Sequence, residues 1–140
     1  MNAYSLRPGD VIGTDVRVGP YVVHHYGVVS CTDAWRGVFV ISNSKKAGTV
    51  AEEPIDEFAG ASEWTVHPEL RGSLSSQEVV RRARARIGDP WSLFADNCEH
   101  FVREVQGLLR ASPQVATGVL KTAFFGFLAV AAVAVLTSDD

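Results

Sequence analysis

Two cysteines, Cys31 and Cys98, are all that the 140 residues contain, too few for the disulfide framework of a small secreted domain. An excess of basic residues is missing as well. Thirteen Lys and Arg stand against sixteen Asp and Glu, for a net charge of -3, so no nucleic-acid partner is expected. The one dense basic run, Arg81, Arg82, Arg84 and Arg86, falls inside a predicted helix and reads as a solvated face. No positively charged start leads into an apolar stretch, so no signal peptide is expected. Free thiols without a leader favour the cytosolic side of a membrane. There is no Gly-rich phosphate loop, no serine elbow and no close carboxylate pair of recognisable type. A zinc site drawn from the cysteines and histidines lacks close paired-ligand spacing, and no metal or cofactor is expected.

What is present is enough for one compact α+β domain. Pro8-Gly9 marks a turn, and short strands are predicted over Asp10–Val16, Tyr21–Ser30, Val38–Ser42, Thr49–Glu53 and Glu63–His67. They are rich in Val and Ile and separated by turn residues, as in an antiparallel sheet. Pro54–Gly60 reads as a single helical turn. The period then changes. Ser75 and Glu78 form a capping box ahead of an apolar stripe, Val79, Ala83 and Ile87, that stops at Gly88. A second helix follows Asn97, with Phe101, Val102, Val105, Leu108 and Leu109 on its apolar face, and frays near Arg110.

The C-terminus is of another kind. Ser112-Pro113 opens it as a cap and first helical residue, and between Val115 and Leu136 the only charge is Lys121. A helix over that stretch would be about 33 Å long, enough for a hydrocarbon core of about 30 Å. Arg103, Arg110 and Lys121 lie before or near its start and Asp139 and Asp140 after it, which places the domain on the cytosolic side by the positive-inside rule. The alternative is a buried helix of a soluble domain. Residues 1–111 thus read as the functional domain and residues 112–140 as a hydrophobic anchor.

Chemistry concentrates on Asp96-Asn97-Cys98-Glu99-His100-Phe101. With Asn97 as N-cap, Cys98 becomes the first helical residue. Free N–H groups and the positive end of the helix dipole there favour thiolate, the nucleophilic form. A base is available in the strand that carries His24 and His25. Side chains alternate across a strand, so one of the two imidazoles points inward. A strand histidine facing a thiol at a helix start is the arrangement that lets imidazole take the thiol proton. His100 lies about 200° around the helix from Cys98 and reads as structural. Cys31 reads as packing, and His67 has no visible partner.

These residues resemble a known family. Asn97-Cys98-Glu99-His100-Phe101 is similar to the Asn-Cys-Glu-His-Phe signature of the lecithin:retinol acyltransferase family, and His25-Tyr26-Gly27 to its upstream His-Tyr-Gly segment. Gly9-Asp10-Val11-Ile12 resembles its first strand. The resemblance spans roughly residues 5 to 112. It implies a circularly permuted papain-like fold related to NlpC-type peptidases, and acyl transfer through a thioester. Cys98 would be the nucleophile, His25 the general base and then acid, and the Cys98 N–H one oxyanion donor. The acyl donor would be a phospholipid, and a C-terminal membrane anchor is common among the lipid-acting members. Tyr21 is a further candidate for the oxyanion. One departure stands out: animal members carry a second histidine at the end of the next strand, where this chain has Ser42-Asn43-Ser44. Asn43 is the best substitute, because an amide carbonyl can orient imidazolium; Ser42 or Ser44 could hold the position instead. Two other readings stay open: a papain-like peptidase or amidase, and a non-catalytic domain that recruits a partner to a membrane.

Overall fold

The computed structural model describes residues 5–91 and 96–108, without the side chains of Asp96 and Asn97. The predicted C-terminal helix, the cap formed by the Asn97 side chain and the boundary near residue 112 lie outside the described residues. Five antiparallel strands form one sheet in the order β4-β3-β2-β1-β5. They are β1 (Val11–Val18), β2 (Tyr21–Asp33), β3 (Gly37–Ser44), β4 (Thr49–Pro54) and β5 (Trp64–Val66). The helices are α1 (Ile55–Ala59), α2 (Ser76–Ala85) and α3 (Asp96–Val105), with one 3-10 turn at Pro68–Leu70. This is the α+β arrangement of strands, then helices, that the change in period implies. Among the described residues no helix is long and apolar enough to cross a membrane.

Alternation along the strands divides the core into two layers. On one face Val11, Val28, Ile41 and Val50 pack with Val79 and Ala83 of α2 and with Phe101, Val102 and Val105 of α3. On the other, Ile12, Val29 and Val40 pack with Ile55, Phe58 and Ala59 of α1. Burying both faces explains why β2 and β3 read as near-continuous apolar runs at their centres. The first turn of α2 carries one half of the expected capping box: the Ser75 side chain accepts a hydrogen bond from the Glu78 N–H at 3.2 Å, while the Glu78 carboxylate is held by Arg81 and Arg82. Such a cap is worth about 1 kcal/mol.

Two helix boundaries depart from expectation. Ile87 lies beyond the end of α2 and is 43% exposed, so the apolar stripe stops at Ala83. Helix α3 ends at Val105 rather than near Arg110. Gly107 takes a left-handed conformation, φ 71°, and the Leu108 N–H turns back to the Arg103 carbonyl, closing the helix. The basic run of α2 is paired: Arg81 and Arg82 hold Glu78, Arg84 holds Glu52, and Arg86 holds Asp89 and Glu104.

Gly9 and Asp10 tie the layers together. The Gly9 carbonyl accepts from Gln106 Nε2 at 2.8 Å, and the Gly72 N–H donates to the same amide's Oε1 at 3.1 Å. Asp10 receives the Arg7 N–H and the Arg71 guanidinium. The similarity of Gly9-Asp10 to the family's first strand therefore marks a structural anchor, which fixes the end of α3 against the start of β1.

Candidate active site

The site begins with a break in the sheet. Pairing of β2 with β3 stops at Gly27↔Ser42, while β2 stays paired with β1 out to Tyr21↔Val18 and β3 with β4 out to Ser44↔Thr49. The two central strands therefore part at Tyr26 and Asn43. Cys98 fills the gap. Its sulfur receives the Tyr26 backbone N–H and lies 3.9 Å from the Asn43 carbonyl oxygen. These are the two backbone groups that would have formed the next rung.

His25 reaches the same sulfur from the side, with Nδ1 3.2 Å from Sγ. The strand places one of the two adjacent histidines inward, as alternation requires, and that one is His25. His24 points the other way and pairs with Asp15 at 2.6 Å in an exposed position. The His25 ring is stacked on Phe58, with centroids 4.7 Å apart and planes 27° apart. Phe58 fits there because Gly27, two residues on and on the same face, leaves room; a Cβ at Gly27 would come within 3.0 Å of the Phe58 ring.

Both reacting groups are held neutral. Burial pushes the Cys98 thiol up to about 11, against the opposing pull of the Tyr26 N–H. Burial likewise holds the His25 imidazole down to about 4. This corrects the expectation of a thiolate stabilised by the helix terminus. Helix α3 starts at Asp96, so Cys98 lies inside its first turn and is 7% exposed. Loss of water at such a position disfavours the charged thiolate.

The other sequence candidates are placed as follows. Asn43 is buried, but no hydrogen bond joins its side chain to His25 among the described residues, and its Oδ1 has no partner there. Continuing the register past Gly27↔Ser42 sets Ser44 opposite His25 and Asn43 opposite Tyr26, so the Asn43 side chain is directed to the other face. Ser44 donates instead to Glu53. His100 lies 4.0 Å from Glu104 and lines a separate small cavity, consistent with a structural role. Tyr21 stands at the tip of the β1–β2 hairpin, 72% exposed and four residues from His25, about 13 Å along the strand, too far to reach an oxyanion at Cys98. His67, which had no visible partner in the sequence, bonds Glu69 and Thr65 and meets the edge of the Tyr26 ring.

Three contributors were given no role in the site from the sequence: Phe58, which was not singled out at all, and Gly27 and the Tyr26 N–H, which entered only as part of the His25-Tyr26-Gly27 segment. The role of Gly27 could have been read from its strand period, which puts it on the same face as His25. Phe58 reaches the site through a long-range packing contact that carries no local signal. Buried Glu99, next to the nucleophile, is held by Arg103 at 2.9 Å.

His25 and Cys98 open into a cleft of about 510 Å³, lined by apolar Val16, Val18, Val23 and Phe58, with Lys45, Lys46, Glu53 and Glu57 among its charged lining. A neutral thiol, a base in reach and an apolar cleft form the equipment of thiol acyl transfer. Residues 5–108 match the family model described as lecithin retinol acyltransferase. The chain belongs to that family. It is 31% identical over 112 residues to human phospholipase A and acyltransferase 2, covering 76% of this chain and 68% of that protein. It is also 34% identical over 88 residues to mouse lecithin retinol acyltransferase, covering 54% of this chain and 38% of that enzyme. The family's enzymes are thiol acyltransferases and phospholipases, and the His25–Cys98 contact is consistent with that chemistry.

Proposed function

We propose that this protein takes an acyl group from a glycerophospholipid ester onto Cys98 and passes it to water or to an amine or alcohol. The observation that carries the reading is the 3.2 Å approach of His25 Nδ1 to Cys98 Sγ at the floor of an apolar cleft. As sulfur attacks the ester carbonyl, the thiol proton moves to His25 Nδ1 and the C–S bond forms. Because both groups rest neutral, proton transfer and attack proceed together. The oxyanion is received by backbone N–H groups of the first turn of α3, that of Cys98 among them. The imidazolium then returns its proton to the departing alcohol, leaving a thioester. In the second half-reaction His25 takes a proton from the acceptor and restores the thiol.

The lining supports a donor with an apolar chain: aliphatic Val16, Val18 and Val23 run along the cleft, and its charged lining is mixed, with Lys45, Glu53 and a Lys46–Glu57 ion pair at 3.2 Å. In this reading the C-terminal apolar stretch, residues 115–136, holds the domain at the cytosolic side of the membrane that supplies the lipid. Intact-protein mass spectrometry after incubation with mixed phospholipid vesicles tests it. The expected result is an added acyl mass on Cys98 that Cys98→Ala abolishes. Phospholipid turnover that persists in Cys98→Ala sinks the proposal.

A further inference from the structure

The β1–β2 hairpin extends beyond the sheet. β5 pairs with β1 only through Ile12, Gly13 and Thr14, and β3 leaves β2 at Gly27, whereas β1 and β2 stay paired to Val18↔Tyr21. The projecting part is a two-stranded ribbon whose faces differ. By the register and the alternation of strands, Val16, Val18, Tyr21 and Val23 share one face with His25, and the other carries Asp15, Arg17, Val22 and His24. On the first face Val16 is 37%, Val18 44% and Tyr21 72% exposed, although all three are apolar or aromatic. The stripe does not end in solvent: Val16, Val18 and Val23 line the same cleft as His25 and Cys98.

We infer that this face of the ribbon is the acyl-chain subsite and sets chain-length preference, with the donor's chain running from Cys98 past Val23 and Val16 to Val18 and Tyr21. The inference rests on the acyl-transfer reading above and specifies its substrate. Four residues of strand give a track of about 13 Å from the catalytic pair to Tyr21. A saturated chain extended along it would cover the exposed aliphatic side chains, and each methylene so buried adds to binding. A short acyl group would leave the distal end empty and gain nothing from it.

The test uses p-nitrophenyl esters kept dilute enough to stay monomeric, so that membrane docking plays no part. The readout is the ratio of kcat/KM for laurate to that for acetate. In Val18→Asp, which places a charge at the far end of the track, the ratio falls on the order of tenfold or more. Val22→Asp, at the same hairpin tip on the opposite face, is the control and leaves the ratio as in the wild type. Circular dichroism and the urea midpoint confirm that both variants fold. An unchanged ratio in Val18→Asp overturns the inference, and so does an equal fall in both variants. A wild type that forms acyl-Cys98 from neither ester overturns the acyl-transfer reading itself, an outcome distinct from the other two.

Discussion

The imidazole of His25 is held between Phe58 and Cys98, stacked on the ring of the first at 4.7 Å and turned with Nδ1 3.2 Å from the sulfur of the second. A packing contact thus does what a hydrogen-bonding third residue does in papain-like sites, fixing the plane of the base. The consequences can be measured.

Substituting Gly27 tests the stack. In Gly27→Ala the new Cβ meets Val40 Cγ1 at 2.5 Å and Phe58 Cε2 at 3.0 Å, so Val40 has to shift and the Phe58 ring has to give by a few tenths of an ångström. Overpacking of this kind costs about 1–3 kcal/mol, read as a lower urea midpoint. Turnover falls through kcat more than through KM, because the displaced ring no longer holds the base. A variant that is destabilised yet turns over normally would show that the stack does not position His25.

Reactivity of the thiol follows its burial. With the thiol pushed up to about 11, alkylation of Cys98 by iodoacetamide is slow at neutral pH and accelerates as the solution becomes strongly alkaline. Peptide mass spectrometry on Cys31→Ser protein gives the rate free of the second cysteine. A rate already at its plateau on the acid side of neutrality would reveal a thiolate–imidazolium pair and contradict the neutral resting state.

Acid lability carries the signature of His25. Its imidazole titrates at about 4 in the folded chain and at 6.5 when free of burial. Between those values the unfolded chain binds more protons than the folded one, so stability is lost as pH falls through the window and is fully present above it. The loss approaches about 3 kcal/mol. His25→Phe removes this component, so its urea midpoint changes less between neutral and acid pH than that of the wild type. Parallel pH profiles for the two proteins would refute the assignment.

Gln106 is a fully buried polar side chain, 1% exposed, and bridges the Gly72 N–H to the Gly9 carbonyl. Gln106→Leu keeps the bulk and strands one donor and one acceptor. The expected destabilisation is about 3 kcal/mol, seen in urea or thermal unfolding. A loss within experimental error would mean that these backbone groups find other partners.

Much of this was legible in the sequence because it is local. Strand alternation placed His24 and His25 on opposite faces, turn residues bounded the five strands, and the Ser75–Glu78 pattern fixed the start of α2. The motif around Cys98 brought thiol and imidazole into one hypothesis, and the structure brings the two side chains together. What was not legible depends on distance in space. Burial reversed the expected charge state of Cys98, and no local pattern reports how much water a side chain keeps. Asn43 illustrates a register effect: one residue along β3 decides which face it serves, and the point where β2 and β3 part is a property of the whole sheet.

The parting of β2 and β3 sets a limit on how far this fold can be stabilised. The Tyr26 N–H and the Asn43 carbonyl are a rung left open, and the sulfur occupies it. Any change that zipped the seam closed by one more pair would strengthen the sheet and evict the nucleophile from its seat. Stability and activity therefore compete for the same two backbone groups, and substitutions selected for thermal resistance along this seam should be screened for lost turnover.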